Sequence, residues 1–527
     1  MVQLIQDFIF ESARRTPLAP ALSYQGVPLS YAALAQTVQA AAGALLALGV
    51  GRGERVAVYL EKREEAVAAM FGAAAAGAVF VPVNPLLKPE QVRYILADCN
   101  VRVLVTSRER LTLLAGVLAS CPDLHTVIVT GAELAPAPRG VDVVSWSQSL
   151  ARAAPWIGPG AIDADMAAIL YTSGSTGRPK GVVLSHRNLV AGADSVASYL
   201  GNHEQDRILC VLPLSFDYGL SQLTTAFSSG ACAVLMNYLL LRDIVDSVEQ
   251  DGITGLAAVP PLWIQLAQLR WPAAPQLRYI TNSGGAMQRG TLDKLRAALP
   301  DTRVYLMYGL TEAFRSTYLA PEQLDRRPDS IGKAIPNAEV MVLRPDGTPC
   351  APDEPGELVH RGPLVALGYW NDPEKTAARF RPLAPRHAGL PLREWAVWSG
   401  DTVRSDVDGY LYFVGRSDDM IKTSGYRVSP TEIEEVVYAS GLVGEAVALG
   451  LPHPVLGQAV ALLATAAGGQ ELNQQQLLAA CKTNLPGYMT PAWVEVRSGP
   501  LPRNPNGKID RSLLARELAE LFCGGAR

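Results

Sequence analysis

The stretch YTSGSTGRPKG occupies residues 171–181, between two apolar runs of strand length at residues 166–170 and 182–184. Its glycines allow the backbone to turn sharply, and its small hydroxyl side chains and Lys180 can surround phosphate oxygens with donors and a positive charge. A hairpin turn, in which serine and threonine satisfy only their own backbone, is the alternative. The composition favours a phosphate-binding loop. It is not of the Walker type, because the lysine is flanked by proline and glycine.

Strands and helices alternate on both sides of this loop. Apolar runs at residues 56–60, 79–83 and 101–106 are separated by helical patterns, and the alternation resumes at about residue 208. This order of elements predicts parallel, doubly wound sheets covered by helices.

The pattern changes at about residue 339, where short strands are joined by Asp-Gly turns at residues 346–347 and 408–409. Such turns predict an antiparallel, barrel-like sheet. A charged, turn-rich stretch at residues 415–422 is typical of a linker between domains. The predicted fold class is α/β: a large N-terminal domain, residues 1–416, with two doubly wound α/β subdomains and a β-barrel-like subdomain, and a small mobile α+β C-terminal domain, residues 417–527.

Composition limits the class of protein. The 527 residues are 49% hydrophobic and carry a net charge of −4 without a Lys/Arg block, which argues against a nucleic-acid partner. The most apolar stretch, residues 66–83, is better explained by a buried helix running into a strand than by a membrane span. No signal peptide is evident, and the seven cysteines form no Cys-x-x-Cys pair. We expect a cytoplasmic protein without membrane insertion, disulfide framework or structural zinc.

Three further motifs can carry chemistry. The sequence YGLTE, residues 308–312, follows a predicted strand and places a carboxylate where Mg²⁺ beside a phosphate loop can be held, although a helix cap would have the same pattern. The sequence SGD, residues 399–401, offers a carboxylate on a loop for ribose hydroxyls, although solvated loop aspartates are commoner. The sequence PRNPNGKID, residues 502–510, is a rigid turn that presents one lysine.

In this order and spacing, the motifs resemble those of the adenylate-forming enzymes: acyl-CoA synthetases, adenylation domains of peptide synthetases, and luciferases. The resemblance extends from about residue 4 to residue 518, and its most specific pieces are residues 171–181, 308–312, 399–401, 415–416 with 425–427, and 504–508. A closer likeness, in the stretches 80–88 and 216–223, is to the AMP-forming ligases described as exosortase-A-associated.

The resemblance implies a reaction. A carboxylate attacks the α-phosphorus of ATP, which gives an acyl adenylate and pyrophosphate, and a phosphopantetheine thiol of CoA or a carrier protein then takes the acyl group as a thioester. ATP and Mg²⁺ would be the cofactors. Because the first step brings two anions together, it depends on positive charge and positioning. We expect any carrier protein to be a separate chain, since this one ends soon after Lys508.

The resemblance also implies roles for individual residues. Lys508 would bridge the substrate carboxylate and the α-phosphate, Thr311 would contact the α-phosphate, and Glu312 would hold Mg²⁺. At the hinge Asp418 the small domain would rotate and replace Lys508 by Gly425, whose missing side chain leaves room for pantetheine. The residues implied in ATP or AMP binding are Thr172, Ser173, Gly174, Ser175, Thr176, Gly177, Lys180, Ser283, Gly284, Gly285, Ala286, Tyr308, Gly309, Thr311, Asp401, Arg416 and Lys508.

Asp217 bears on the substrate. Many acyl-CoA synthetases carry a histidine in this stretch, whereas adenylation domains for α-amino acids carry Phe-Asp, whose carboxylate pairs with the substrate ammonium. Because a buried carboxylate needs a cation, Asp217 predicts a small amino acid. The alternative is that Asp217 only caps a helix over residues 219–229. Arg315 could pair with Asp217 or hold a second carboxylate of the substrate. The resemblance places Asp217, Tyr218, Ser221, Thr281, Ser283, Met307, Arg315 and Ser316 in a small, fairly polar acyl pocket.

Other functions stay open at this point. The chain could be an acyl-CoA ligase for a small acid without an amine. It could also be an L-prolyl-carrier-protein ligase, since that subgroup has a similar sequence around Asp217. A non-catalytic adenylate-binding relative is the remaining alternative. The presence of Lys180, Glu312, Asp401 and Lys508 argues against it.

Overall fold

The computed structural model describes most of the chain. The described residues are 2–131, 140–158, 160–172, 179–273, 276–285, 287, 289–383, 389, 393–416, 420–466, 472–502 and 509–523.

The described helices are, in chain order, α1 (Asp7–Arg15), α2 (Tyr31–Ala47), α3 (Glu64–Ala75), α4 (Pro89–Asp98), α5 (Arg108–Leu114), α6 (Trp146–Ala151), α7 (His186–Leu200), α8 (Asp217–Ser229), α9 (Leu241–Gln250), α10 (Pro260–Leu266), α11 (Arg289–Ala298), α12 (Pro373–Arg379), α13 (Pro430–Ala439), α14 (Gln474–Asn484) and α15 (Arg511–Glu517).

The described strands are β1 (Pro20–Tyr24), β2 (Val27–Ser30), β3 (Arg55–Tyr59), β4 (Val79–Pro82), β5 (Val101–Ser107), β6 (Thr126–Thr130), β7 (Asp142–Ser145), β8 (Met166–Thr172), β9 (Lys180–Ser185), β10 (Arg207–Cys210), β11 (Cys232–Leu235), β12 (Gly255–Ala258), β13 (Tyr279–Asn282), β14 (Arg303–Tyr308), β15 (Thr317–Leu319), β16 (Ser330–Ala334), β17 (Glu339–Leu343), β18 (Gly356–Arg361), β19 (Gly368–Tyr369), β20 (Phe380–Pro382), β21 (Trp395–Ser405), β22 (Leu411–Arg416), β23 (Ile421–Thr423), β24 (Tyr426–Val428), β25 (Val443–His453), β26 (Gly457–Ala466) and β27 (Trp493–Arg497).

Two of the sheets have the predicted parallel core. One runs β19-β9-β8-β4-β3-β5-β6-β7, and from β8 through to β7 its neighbours are parallel. The other sheet contains six neighbouring parallel strands, in the order β1, β11, β10, β12, β13 and β14. Helices connect most of these strands in the chain, as parallel pairing requires. The doubly wound part of the predicted fold is therefore present.

The antiparallel strands between β15 and β22 do not form a separate sheet. The strands β15, β16, β22, β21, β18 and β17 continue outward from β14, so the barrel-like part extends the same sheet as the parallel core. The strands β23 to β27 form the third sheet, and together with α13, α14 and α15 they make the small C-terminal domain. The predicted boundary after residue 416 stays a prediction.

The core is made of alanine, branched and aromatic side chains between the sheets and their helices. The largest cluster joins α1, α2 and α3 to both parallel sheets through buried residues such as Phe71, Phe80 and Phe227. The C-terminal domain has its own clusters around Val460 and Leu463. Within the described ranges, no helix is long and apolar enough to cross a membrane.

Candidate active site

A cavity of about 1330 Å³ lies where the carboxyl ends of strands from both parallel sheets meet the C-terminal domain. Asn84 follows β4, Val211 follows β10, Ser283 follows β13 and Gly309 follows β14, and all four line it. Crevices at the carboxyl ends of parallel strands are where α/β proteins place ligands, since the connecting loops converge there. The fold thus brings residues from distant parts of the chain to one site.

Most of the described residues predicted to bind the nucleotide line this cavity. On one wall, β8 ends in Thr172, whose buried hydroxyl oxygen has no hydrogen-bond partner within the described part of the chain. The predicted nucleotide residues that line the cavity are Thr172, Ser283, Gly284, Gly285, Tyr308, Gly309, Thr311 and Asp401. The side chains of Lys180 and Glu312 are paired with each other.

Tyr308 and Asp401 are joined directly. The hydroxyl group of Tyr308, at the end of β14, donates to Oδ2 of Asp401 over 2.5 Å. Asp401 lies within β21 and not on a loop as the sequence predicted. Gly400 adopts φ +70°, which bends the strand locally and explains why its sequence has the appearance of a turn. The backbone of Asp401 pairs with that of Arg416 on β22, so these two predicted nucleotide residues are neighbours.

Lys180 and Glu312 form a buried ion pair with Tyr369. The Nζ atom of Lys180 lies 2.8 Å from Oε1 of Glu312 and donates to the hydroxyl oxygen of Tyr369, also at 2.8 Å. The Tyr369 hydroxyl in turn donates to Oε1 of Glu312 over 2.7 Å. Burial acts to raise the pKa of the Glu312 carboxyl, but the charges of Lys180 and Arg427 outweigh it and hold that pKa far below its usual range. Glu312 is therefore ionised.

An ionised Glu312 fits a divalent cation that is shared with a nucleotide. Mg²⁺ in nucleotide sites is held by one or two carboxylates together with phosphate oxygens and water. No cluster of three or more potential His, Cys, Asp or Glu ligands occurs among the residues that the structure describes. Glu312 alone would contribute a protein carboxylate, and the phosphates would complete the coordination.

The part of the cavity where the acid is predicted to bind, the predicted acyl end, contains opposite charges that are loosely paired. Asp217, Tyr218, Ser283, Met307 and Arg315 line it. The Nη2 atom of Arg315 lies 4.0 Å from Oδ2 of Asp217, and its Nη1 donates to Oγ of Ser283 over 3.3 Å. Burial raises the pKa of the Asp217 carboxyl, and the charge of Arg315 opposes that shift.

Three residues predicted for the acyl pocket lie behind its wall. Thr281 is covered by Tyr218, whose hydroxyl forms a 2.6 Å hydrogen bond with the threonine Oγ1. The Oγ of Ser316 points to Nδ1 of His360, 2.9 Å away, and Ser221 is buried within α8. None of the three is part of the cavity lining in the described chain. A role for these three residues in the acyl pocket therefore stays a prediction.

The helix-cap explanation of Asp217 was wrong. Helix α8 begins at Asp217 itself, and its N-cap is Phe216, which makes no side-chain capping bond. The carboxylate of Asp217 is therefore available to the cavity, with 18% of its side chain exposed.

A strained turn separates the two ends of the site. Phe314 adopts φ +56° and ψ −44°, a conformation that non-glycine residues rarely adopt, and its side chain is fully buried. Its ring packs so closely against α7 that a Cβ on Gly192 would lie 2.5 Å from it. This packing holds the turn between Glu312, which pairs with Lys180, and Arg315, which lines the cavity near Asp217.

The C-terminal domain closes the cavity with the turn around Gly425. This glycine has φ +81°, and a Cβ on it would lie 2.7 Å from Cγ2 of Val259. The next residue, Tyr426, stacks on Tyr488 at 3.6 Å and meets the ring of Phe216 edge-on at 5.0 Å. The two domains are therefore in close contact beside Asp217.

A second contact between the domains lies near the mouth of the cavity. The Nε2 atom of Gln91, on α4, donates to Oε1 of Glu432, on α13, over 3.0 Å. Burial raises the pKa of Glu432 to about 7.

Several predicted site residues lie outside the described part of the chain. They are Ser173, Gly174, Ser175, Thr176, Gly177, Ala286, Asp418 and Lys508, together with the side chain of Arg416.

The geometry agrees with what family comparisons find. A family model described as AMP-binding enzyme matches residues 9–370, and one described as the AMP-binding enzyme C-terminal domain matches residues 432–508. The chain belongs to the AMP-binding enzyme family. Like its relatives, this AMP-binding enzyme is an AMP-forming ligase that uses ATP to join an acid to a thiol.

Individual relatives match over nearly the whole chain. The L-proline--[L-prolyl-carrier protein] ligase of Pseudomonas fluorescens is 31% identical over 528 residues, which are 98% of this chain and 100% of that protein. Tyrocidine synthase 3 of Brevibacillus parabrevis is 30% identical over 529 residues, which are 99% of this chain. The match spans only 8% of the length of that synthase.

Solved structures show the same architecture. The o-succinylbenzoate CoA synthetase MenE of Bacillus subtilis, bound to a product analogue, has a TM-score of 0.82 at 27% identity and covers 97% of this chain and 98% of its own. VinN in complex with L-aspartate has a TM-score of 0.67 at 32% identity and covers 78% of this chain and 98% of its own. The closer likeness to exosortase-associated ligases stays a prediction.

Sequence reasoning about this AMP-binding enzyme missed Tyr369 and Arg427 as site residues. Arg427 lines the cavity, and its charge lowers the pKa of Glu312. Arg427 belongs to the motif at residues 425–427 on which the family resemblance rests, so this motif could have identified it as a site residue. Tyr369 lies 57 positions from Glu312, and the sequence around it does not indicate the contact.

Proposed function

We propose that this enzyme activates an amino acid: it forms the aminoacyl adenylate with release of pyrophosphate and then transfers the aminoacyl group to a phosphopantetheine thiol with release of AMP. The observation that carries this proposal is Asp217, a carboxylate at the start of α8 that lines the cavity beside Arg315. A carboxylate in such a place is stabilised by a cation, and the ammonium group of an amino acid supplies one.

The nucleotide occupies the other end of the cavity in this proposal. Asp401, joined to the hydroxyl of Tyr308, binds the ribose hydroxyls, and Thr311 contacts the α-phosphate. The residues 172–180, with Lys180, hold the β- and γ-phosphates. Glu312 holds Mg²⁺, which neutralises phosphate charge when it is bound.

The C-terminal domain provides two surfaces in turn. Lys508 stabilises the negative charge that develops between the carboxylate and the α-phosphorus during adenylation. The turn at Gly425 replaces it for the thiol step, in the arrangement in which Gly425 lies against Val259. The acceptor is a carrier protein or CoA, since relatives named for both match this chain.

A second candidate is the activation of L-proline for a carrier protein. It is favoured by the prolyl-carrier-protein ligase that matches the chain over its full length. It uses the same Asp217 contact, because proline also carries a cationic nitrogen.

Pyrophosphate exchange with ATP tests the proposal. We expect exchange with an amino acid and at least about tenfold less with the same acid lacking its amine, the size of one charge-assisted hydrogen bond. Asp217→Asn should remove most of this difference. Asp325→Asn is a matched control, because Asp325 is an exposed carboxylate in an ion pair with Arg296 on the surface. Exchange with amine-free acids alone would refute the Asp217 assignment.

A further inference from the structure

We propose that the acid is an amino dicarboxylic acid: one carboxylate reacts with ATP, and Arg315 binds the second one. This inference rests on the proposed function, because it assigns a further part of the same substrate.

Arg315 is a buried cation with unused donors. Only 1% of the residue is exposed, and its side chain lines the acyl end of the cavity. A guanidinium group has five N–H donors. Nη1 donates to Ser283 over a long 3.3 Å, whereas Nε and Nη2 are buried and have no hydrogen-bond partner among the described residues. Burying such donors unsatisfied is costly, so the site is incomplete without an acceptor.

Asp217 does not supply that acceptor. Its Oδ2 lies 4.0 Å from Nη2 of Arg315, beyond hydrogen-bond distance. The remaining face of the guanidinium lies against the ring of Tyr218, with Cζ 4.7 Å from the ring centre. Among the residues that the structure describes, Asp217 is the one carboxylate within ion-pair distance of Arg315.

Charge balance decides between the kinds of amino acid. A monocarboxylic amino acid uses its carboxylate in the reaction and brings only an ammonium group to the pocket. If Asp217 pairs with that ammonium, Arg315 loses its nearest counter-charge inside a buried site, which is unfavourable. A second carboxylate on the substrate restores the balance, since Asp217 then pairs with the ammonium and Arg315 with the carboxylate.

The geometry favours a short substrate. The charged atoms of Asp217 and Arg315 are 4.0 Å apart, so an ammonium and a carboxylate on the same or neighbouring carbon atoms can reach both. The planar guanidinium presents two parallel donors, which suit a carboxylate in a bidentate arrangement. Tyr218 and Met307 limit the space around this pair. Aspartate has the required groups and size.

Gly309 makes the position of Arg315 possible. A Cβ on Gly309 would lie 3.2 Å from Cα and 3.5 Å from Nη1 of Arg315. The absence of a side chain at 309 therefore lets the arginine pass close to the end of β14 and reach the acyl end of the cavity.

Pyrophosphate exchange with matched acids tests the inference. The panel is L-aspartate, L-glutamate, L-alanine, L-proline and succinate, with L-asparagine and L-isoasparagine to show which carboxylate reacts. We expect exchange with aspartate to exceed that with alanine by about ten- to hundredfold in kcat/KM, the value of a charge-assisted hydrogen bond to arginine. Alanine or proline reacting as well as either amino diacid would overturn the inference and leave amino-acid activation intact.

The same panel shows separately whether the proposed amino-acid function fails. If succinate exchanges and aspartate does not, the second-carboxylate site at Arg315 is supported, and the amino-acid assignment of Asp217 is refuted.

A variant gives a second, independent measurement. Arg315→Gln should reduce the preference for aspartate over alanine to below about threefold and should weaken aspartate binding measured by calorimetry. Arg296→Gln is the matched control, since Arg296 pairs with Asp325 on the surface. Unchanged aspartate binding in a folded Arg315→Gln protein would overturn the inference. If this variant does not fold, judged by thermal unfolding, the panel with the unchanged enzyme decides.

Discussion

Lys180 and Glu312 are 132 positions apart in the chain, and their charged atoms lie 2.8 Å from each other in a buried ion pair. Each is also hydrogen-bonded to the hydroxyl of Tyr369. Burial lowers the pKa of Lys180, while Glu312 acts to raise it, so the two side chains depend on each other for their charge. Lys180 and the proposed Mg²⁺ ligand Glu312 are thus coupled electrostatically.

The first prediction concerns Tyr369. In Tyr369→Phe the carboxylate of Glu312 loses a hydrogen-bond donor that fixes its orientation. The Mg²⁺ concentration for half-maximal pyrophosphate exchange should therefore rise about tenfold, the effect expected from losing one hydrogen bond to a charged group. Tyr412→Phe is the control, because it removes a similar bond, 3.1 Å long, to Asp406, and neither Tyr412 nor Asp406 is among the described residues that line the cavity. An unchanged Mg²⁺ requirement would contradict the positioning role.

The second prediction concerns Tyr308. Its hydroxyl donates to Asp401 over 2.5 Å, which orients the carboxylate for the ribose. Tyr308→Phe should raise KM for ATP about tenfold and change KM for the acid little. Initial rates at varied ATP and varied acid separate the two constants. A rise confined to the acid would show that Tyr308 serves the acyl pocket instead.

The third prediction concerns Gly425. In Gly425→Ala the new Cβ would lie 2.7 Å from Cγ2 of Val259, so the observed domain contact cannot form without displacement. Thioester formation from supplied acyl adenylate should fall more than about tenfold, whereas pyrophosphate exchange should stay within about twofold. The reason is that the adenylation step and the thiol step use different arrangements of the small domain.

Gly409→Ala is a matched control for this change. Gly409 has a similar φ of +80°, but a Cβ on it would meet nothing within 4 Å. Lys508→Ala is expected to do the reverse of Gly425→Ala, with adenylation lost and the thiol step retained. Equal loss of both steps in either variant would refute the two-arrangement proposal.

The fourth prediction concerns pH and Glu432. Burial raises its pKa to about 7, above that of the unfolded chain, so the folded protein retains a proton that the unfolded chain releases. The free energy of unfolding of the C-terminal domain should therefore fall as pH rises from about 4.5 to about 7, by up to about 1.4 kcal/mol per pH unit from this group. Glu432→Gln keeps a partner for Gln91 and should flatten this part of the profile. Denaturant unfolding at several pH values measures it, and an identical slope in the variant would contradict the assignment.

Local sequence was sufficient where function and secondary structure share one motif. The strand before Tyr308 and the acidic residue at 312 follow one another in the chain, so both the element and the candidate ligand could be predicted. The alternation of apolar runs likewise predicted the parallel sheets, because each strand is buried on both faces.

Contacts over long distances in the chain could not be predicted this way. Tyr369 reaches Glu312 only because β19 pairs with β9, next to Lys180. Asp401 was expected on a loop, since the glycine before it is typical of turns, but pairing with β22 keeps the chain in a strand. Ser316 follows Arg315 directly, yet only the arginine lines the cavity, because the serine bonds to His360.

The turn at Phe314 has a consequence for how such enzymes change during evolution. In the proposed function, the short segment on either side of this left-handed residue carries a contact for the nucleotide at position 312 and a contact for the acid at position 315. A substitution at 315 can alter which acid is accepted while position 312, and with it the energy source, is inherited unchanged. New substrate preferences can therefore arise by single mutations without rebuilding the ATP-dependent half of the enzyme.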